Sequence, residues 1–262
     1  MAGLDPAIYF SECLRARQAF GCGGLFDFGF TKTLSGIMLV LAIDTALESC
    51  AAAVLDTEAE IFRARQSLPM KRGHAEALMP MIDEVMKASG ISYAALDRIA
   101  VTVGPGSFTG LRVGISAARG LGLAARRPVI GVTTLEAFAA PLIEADSEIP
   151  VIAAIDARHG HVYAQVFSGE GATLIDPAIV PLEDVFRAAR FGAAHLVGDA
   201  AEMIANQWPP QFDPPASVNA QSAPDIAWVA WLGASADPDE APPRPYYLRA
   251  PDAKTKAELA QR

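Results

Sequence analysis

The strongest constraint on this chain is a segment that occurs twice. Residues 39–55 read LVLAIDTALESCAAAVL, and residues 151–167 read VIAAIDARHGHVYAQVF. Without a gap, Ala42 falls on Ala154, Ile43 on Ile155, Asp44 on Asp156, Ala52 on Ala164 and Val54 on Val166. Each copy is an apolar run, an aspartate at its end, a turn and a second apolar run, the pattern of a buried β-hairpin. Two hairpins in an alanine-rich chain can look alike by chance. The shared Ile-Asp, in register with both flanking runs, favours duplication. A chain of 262 residues is long enough to bury a real core as two such lobes.

The stretch between the copies is regular. Strands over Leu39–Asp44, Cys50–Asp56 and Glu60–Ser67 precede a helix over His74–Ser89 that Gly90 ends. A short buried strand over Arg98–Val103, a helix over Gly110–Ala125 stopped by Pro128, and a strand over Val129–Val132 follow. Three antiparallel strands and then βαβ-type crossovers predict an α/β sheet with helices on its faces. Residues 1–37 hold no sustained periodicity and no apolar core of a secretory signal, and they end directly before Met38. They read as a disordered or non-native extension, with 38–140 and 141–262 as the lobes. The second lobe weakens toward its end, where residues 208–215 and 237–245 are proline-rich. A short helix over Asp225–Leu232 should carry Trp228 and Trp231 into the core.

A doubled unit of this kind resembles the actin, sugar-kinase and Hsp70 folds. The resemblance implies a two-lobed actin-like (ribonuclease H-like) α/β fold, each lobe a mixed sheet flanked by helices. An aspartate-bearing hairpin from each lobe would then face a nucleotide cleft.

Charge and composition narrow the function. The net charge of −9 repels phosphate chains, so little nucleic-acid binding is expected from this chain alone. No run of 18 apolar residues suggests a membrane span. Cys13, Cys22 and Cys50 form no metal-spaced set, and so sparse a count suits a reducing cytoplasm.

The most informative stretch is Val101–Ser116, VTVGPGSFTGLRVGIS. A strand ends at Val103, a loop of small residues follows, and a helix begins near Thr109 or Gly110. Backbone N–H groups in such a loop, with the helix N-terminus, suit an anion. The pattern lacks the Gly-Lys-Ser/Thr of a P-loop and the spacing of a Rossmann turn, so a turn built only for tight strand–helix packing fits equally well. The segment GPGSFTGLRVGISAARGLG, with AIDTALESCAAAV, HAEALMP, VIGVTTLEAF and PYYLR, resembles the TsaB family, and more distantly its catalytic paralogues of the TsaD type. The likeness spans most of residues 38–250.

That resemblance implies a subunit of the machinery that places threonylcarbamoyl on adenosine 37 of tRNA. It would be a scaffold without catalytic or metal-binding residues of its own. TsaD-like chains carry His-x-x-x-His where this one has Thr134-Leu-Glu-Ala-Phe138. Phenylalanine has no lone pair for a metal, and His74, His159, His161 and His195 are not spaced to replace the pair. No HExxH or GxSxG motif supports a peptidase. The serious rival is an actin-like small-molecule kinase or ATPase, with Asp44 as base or magnesium-water ligand; a metallo-glycopeptidase is weaker. Asp44, Thr45, Gly104, Pro105, Gly106, Ser107, Thr109 and Gly110 would be the remnant of a nucleotide or phosphate site, taking ATP or ADP with magnesium if anything. The implied partners are a TsaD-like catalyst, a TsaE-like ATPase, a second copy when alone, and tRNA only through the complex. Leu78, Met79, Ile82 and Met86 on one helix and Leu111, Val113, Gly114 and Ala118 on the next are the expected interface, since small residues and methionine suit close, adaptable docking.

Overall fold

The computed structural model describes residues 38–146 and 148–248; the expected extension over 1–37 lies outside them. Its centre is set by apolar runs too continuous for a sheet with a wet face. Strand β1 (Leu39–Asp44) is buried from Val40 onward, as a strand covered on both faces must be. It pairs antiparallel with β2 (Ser49–Asp56), which pairs antiparallel with the exposed edge strand β3 (Ile61–Pro69). On its other side β1 runs parallel to β4 (Arg98–Gly104), and β4 to β5 (Val129–Thr133). The order is β3-β2-β1-β4-β5.

The second sheet repeats this plan with β6 (Val151–Arg158), β7 (His161–Phe167), β8 (Thr173–Pro181), β9 (His195–Gly198) and β10 (Ser217–Ala220), in the order β10-β9-β6-β7-β8. Again the first two pairings are antiparallel and the last two parallel. The duplication is therefore real at the level of topology.

The helices come in two sets. Helices α1 (His74–Ser89) and α2 (Phe108–Ala125) cover one face of the first sheet, burying Leu78, Ile82, Leu111 and Ile115 against Leu41, Ile43 and Val101. Gly90, at φ 69°, ends α1 as expected. Helix α3 (Thr134–Ala145) opens with a capping box between Thr133 and Glu136 and packs on the second sheet, with Phe138 against Val151, Ala153 and Ile155. The short helices α4 (Leu182–Val185) and α5 (Ala201–Asn206) cover that sheet's other face. Helix α6 (Ile226–Ser235) returns to the first sheet, where Trp228 and Trp231 pack on Val40, Ala42 and Ala53. Each lobe thus lends one helix to the other. The proline-rich stretches 208–215 and 237–245 hold no helix or strand, as their composition predicts.

Side-chain register corrects the ungapped alignment. Ala42 lies opposite Ala53, whereas Ala153, not Ala154, lies opposite Gln165. In the second strands the alignment keeps the face: Ala52 and Ala164 both look toward their own lobe's helices. In the first strands it inverts the face, because Ile43 looks toward α1 and α2 while Ile155 looks toward the exchanged helix α3. One extra residue in the second hairpin, at the irregularity between Asp156 and Arg158, accounts for the slip. The counterpart of Asp44 is Ile155, and Asp156 lies one residue further out.

Candidate functional site

Asp44 ends β1 and is fully buried. Its Oδ1 accepts from the Thr102 hydroxyl of β4 at 2.6 Å and from the Ala46 N–H at 3.0 Å, while its buried Oδ2 has no hydrogen-bond partner among the described residues. Burial pushes this carboxyl above the ordinary carboxylate range, against the opposing pull of Thr102, Ala46 and the nearby His74. Asp156, by contrast, is exposed and accepts from the Arg158 N–H in its own turn. The two aspartates do not form a matched pair.

The glycine-rich loop folds onto the residues after Asp44. The Ser107 N–H donates to the Ala46 carbonyl at 2.7 Å, and the Thr45 hydroxyl to the Gly110 carbonyl at 2.8 Å. A methyl group at Gly106 would overlap the Ala46 carbonyl oxygen, and one at Gly110 the Thr45 carbonyl oxygen. Gly104, Pro105 and Gly110 are buried, while Ser107 and Thr109 face outward. The Ser107 hydroxyl accepts from the Gly110 N–H at 3.3 Å, so the first turn of α2 is capped from within the chain. These glycines are required by close packing of β1, β4 and α2.

The carboxy-terminal segment completes this corner, a contact that no local sequence signal announces. The Gly131 N–H donates to the Ala241 carbonyl at 2.8 Å, and the Tyr246 N–H to the Val103 carbonyl at 2.7 Å. Tyr247 then stacks on Phe108 with centroids 5.5 Å apart, and its hydroxyl accepts from Arg112 Nε at 3.2 Å.

The expected interface residues need correction. Leu78, Ile82, Met86, Leu111, Gly114 and Ala118 are buried in the first lobe's own core, because the same i, i+3, i+4 spacing that makes a docking face also makes a core face. Of the eight, only Met79 is exposed, and Val113 is half-buried. The outward surface of α1 is Glu76, Met79, Asp83, Glu84 and Lys87; that of α2 is Phe108, Arg112, Ser116, Arg119 and Leu123, with no acidic residue along the helix.

Between the lobes lies a cavity of about 560 Å³, lined by Glu48, Arg65 and Ser67 from the first and by Gln221, Ser222 and Asp225 from the second. Asp199 follows β9 beside this cleft and holds the Asp156 N–H at 2.8 Å. Desolvation, with repulsion from Asp156 and Glu48, raises its carboxyl to about 6. Thr134 and Phe138 are fully buried, Phe138 under the second sheet. Among the described residues no group of three His, Cys, Asp or Glu side chains is placed to hold a metal ion, and no helix is long and apolar enough to cross a membrane. The histidines are scattered: His74 Nε2 meets the Leu47 carbonyl at 3.1 Å, and His195 Nδ1 the Ser217 hydroxyl at 2.7 Å.

Two sheets of one plan, exchanged helices and a cavity between the lobes define a two-lobed actin-like protein. A sequence model of the family described as TsaD, tRNA N6-adenosine threonylcarbamoyltransferase, matches residues 68–222. The Escherichia coli tRNA threonylcarbamoyladenosine biosynthesis protein TsaB is 40% identical over 126 residues, covering 48% of this chain and 53% of that protein. The chain spans about half the length of the TsaB relatives it matches in E. coli and Haemophilus influenzae. An uncharacterised Mycobacterium bovis protein is 32% identical over 221 residues, 84% of this chain and 96% of its own. Among solved structures, YeaZ from Pseudomonas aeruginosa superposes with a TM-score of 0.68 at 28% identity, covering 80% of this chain and 100% of that one. The chain belongs to the TsaD family.

Proposed function

We propose that this protein is a non-catalytic partner subunit that pairs with a TsaD-type catalyst for threonylcarbamoylation of adenosine 37 in tRNA. The reading is carried by the outward face of α1 and α2. In a chain of net charge −9, α2 presents Arg112 and Arg119 with no acid, while α1 beside it presents Glu76, Asp83 and Glu84. Of the α1 charges, Lys87 is taken by Asp83 at 2.5 Å. Acidic and basic helices side by side complement a related pair turned through a two-fold axis. Exposed Met79 and Leu123, the latter 83% exposed, supply apolar contact. The same face would pair two copies when the catalyst is absent, and a TsaE-type ATPase would join the assembled pair in the cytoplasm.

The absence of catalysis by this subunit is supported by Phe138, whose ring fills the second lobe's core, where an imidazole pair would have to be buried among Leu135, Ile155 and Val197. The test is co-purification with the cognate TsaD-family chain. Met79→Asp and Leu123→Asp, both outward, are expected to weaken capture at least about tenfold. Unchanged capture by both, or modification of tRNA by this chain alone, would remove the reading.

A further inference from the structure

The first two turns of α2 hold an arginine whose position is fixed before any partner arrives. The Arg112 guanidinium lies over the Phe108 ring, 3.7 Å from its centroid, and its Nε donates to the Tyr247 hydroxyl at 3.2 Å. Tyr247 is itself stacked on Phe108, so one ring anchors both groups. The tyrosine is held in turn by the segment before it, whose backbone crosses Gly131 and Gly104. A Cβ at Gly131 would meet the Pro242 oxygen at 2.7 Å, and one at Gly104 the Tyr246 oxygen at 3.0 Å. Two glycines on β5 and at the end of β4 thus form a track that seats the carboxy-terminal segment and delivers Tyr247 to Arg112.

The consequence lies in what remains of the guanidinium. Its Nη groups have no hydrogen-bond partner among the described residues, and Arg112 is exposed beside a shallow groove formed by Phe108, Thr109, Val113 and Ser116. A surface arginine normally loses side-chain freedom on binding, and here much of that cost is met within the free protein. Resting on the pairing reading above, we propose that Arg112, fixed between Phe108 and Tyr247, is the anchor of the interface and takes a carboxylate from the partner's helix as a two-pronged salt bridge. The carboxylate is favoured because this chain's own matching helix α1 carries its acids outward at Glu76, Asp83 and Glu84, so a partner built on the same plan supplies the complement.

The experiment measures binding of the purified cognate TsaD-family chain to the full-length protein by calorimetry. Arg112→Ala and Arg112→Lys are both expected to bind about tenfold more weakly, because lysine keeps the charge and loses the fork. Tyr247→Phe keeps the stack and loses the Nε contact, with an expected loss of about twofold; Tyr247→Ala loses both, with about fivefold. Wild-type affinity for Arg112→Lys overturns the proposal, and so does tighter binding by Tyr247→Ala, which would make the segment a competing cover. If Arg112→Ala leaves subunit affinity unchanged and lowers tRNA binding by the assembled complex, the anchor serves a phosphate and the proposal falls. A wild-type chain that binds no catalyst at all defeats the pairing reading itself, whereas normal binding by every variant defeats only the role of Arg112.

Discussion

Asp44 shows how a residue can keep its place while its environment changes its chemistry. Its carboxyl is raised above the ordinary value of 3.8, so the folded state holds the proton more tightly than the unfolded chain. Stability from this group is therefore complete below pH 3.8 and declines as pH rises through the folded value. Asp44→Asn, which can keep the acceptor for Thr102 and Ala46, is expected to raise unfolding free energy at pH 7.5 by roughly 1–2 kcal/mol, with the gain vanishing near pH 3.5. Urea titrations at the two pH values check it, and an equal loss at both would contradict the orphaned Oδ2. Asp199 offers a second titration. With its carboxyl near 6, Asp156→Asn should move it downward, as read by carboxyl carbon shifts in NMR. At Gly110, alanine would drive a methyl into the Thr45 carbonyl and is expected to cost about 1–3 kcal/mol in urea unfolding.

Elements were the most legible level of this chain. Helix α1 begins and ends where its periodicity and Gly90 place it, and β1 runs from Leu39 to Asp44 as its apolar run indicates. What periodicity cannot state is which neighbour a face meets. The stripe of Leu78, Ile82 and Met86 reads equally as core or interface, and the sheet beneath α1 decides for core. Likewise α3 and α6 are apolar nearly all round, but nothing local says that they cross to the opposite lobe. Their exchange makes the two cores interdependent. Phe138→Ala is expected to cost about 3–5 kcal/mol and to loosen the second sheet first, seen as faster amide exchange in β6 and β9. The double change Thr134→His with Phe138→His should destabilise the fold and recruit no stoichiometric zinc, because both positions are fully buried.

At the scale of the whole molecule, the proposed pairing rests on charge segregation. Pairing through an acidic α1 and a basic α2 should show an association rate that falls steeply between about 50 and 500 mM salt, while dissociation changes little; stopped-flow mixing with the catalyst chain measures it. Sequence alone determined the strand and helix order of the first lobe, the recurrence of its opening hairpin and the missing imidazoles at positions 134 and 138, because these depend on residue type and spacing along the chain. Only the tertiary structure decided that Asp44 is buried with an orphaned oxygen, that Asp156 is not its counterpart, and that Tyr247 reaches back to Arg112 across 135 residues. Those facts turn on which surfaces meet in three dimensions, and a one-residue slip in a hairpin or a strap seated on two glycines leaves no periodic trace in the chain.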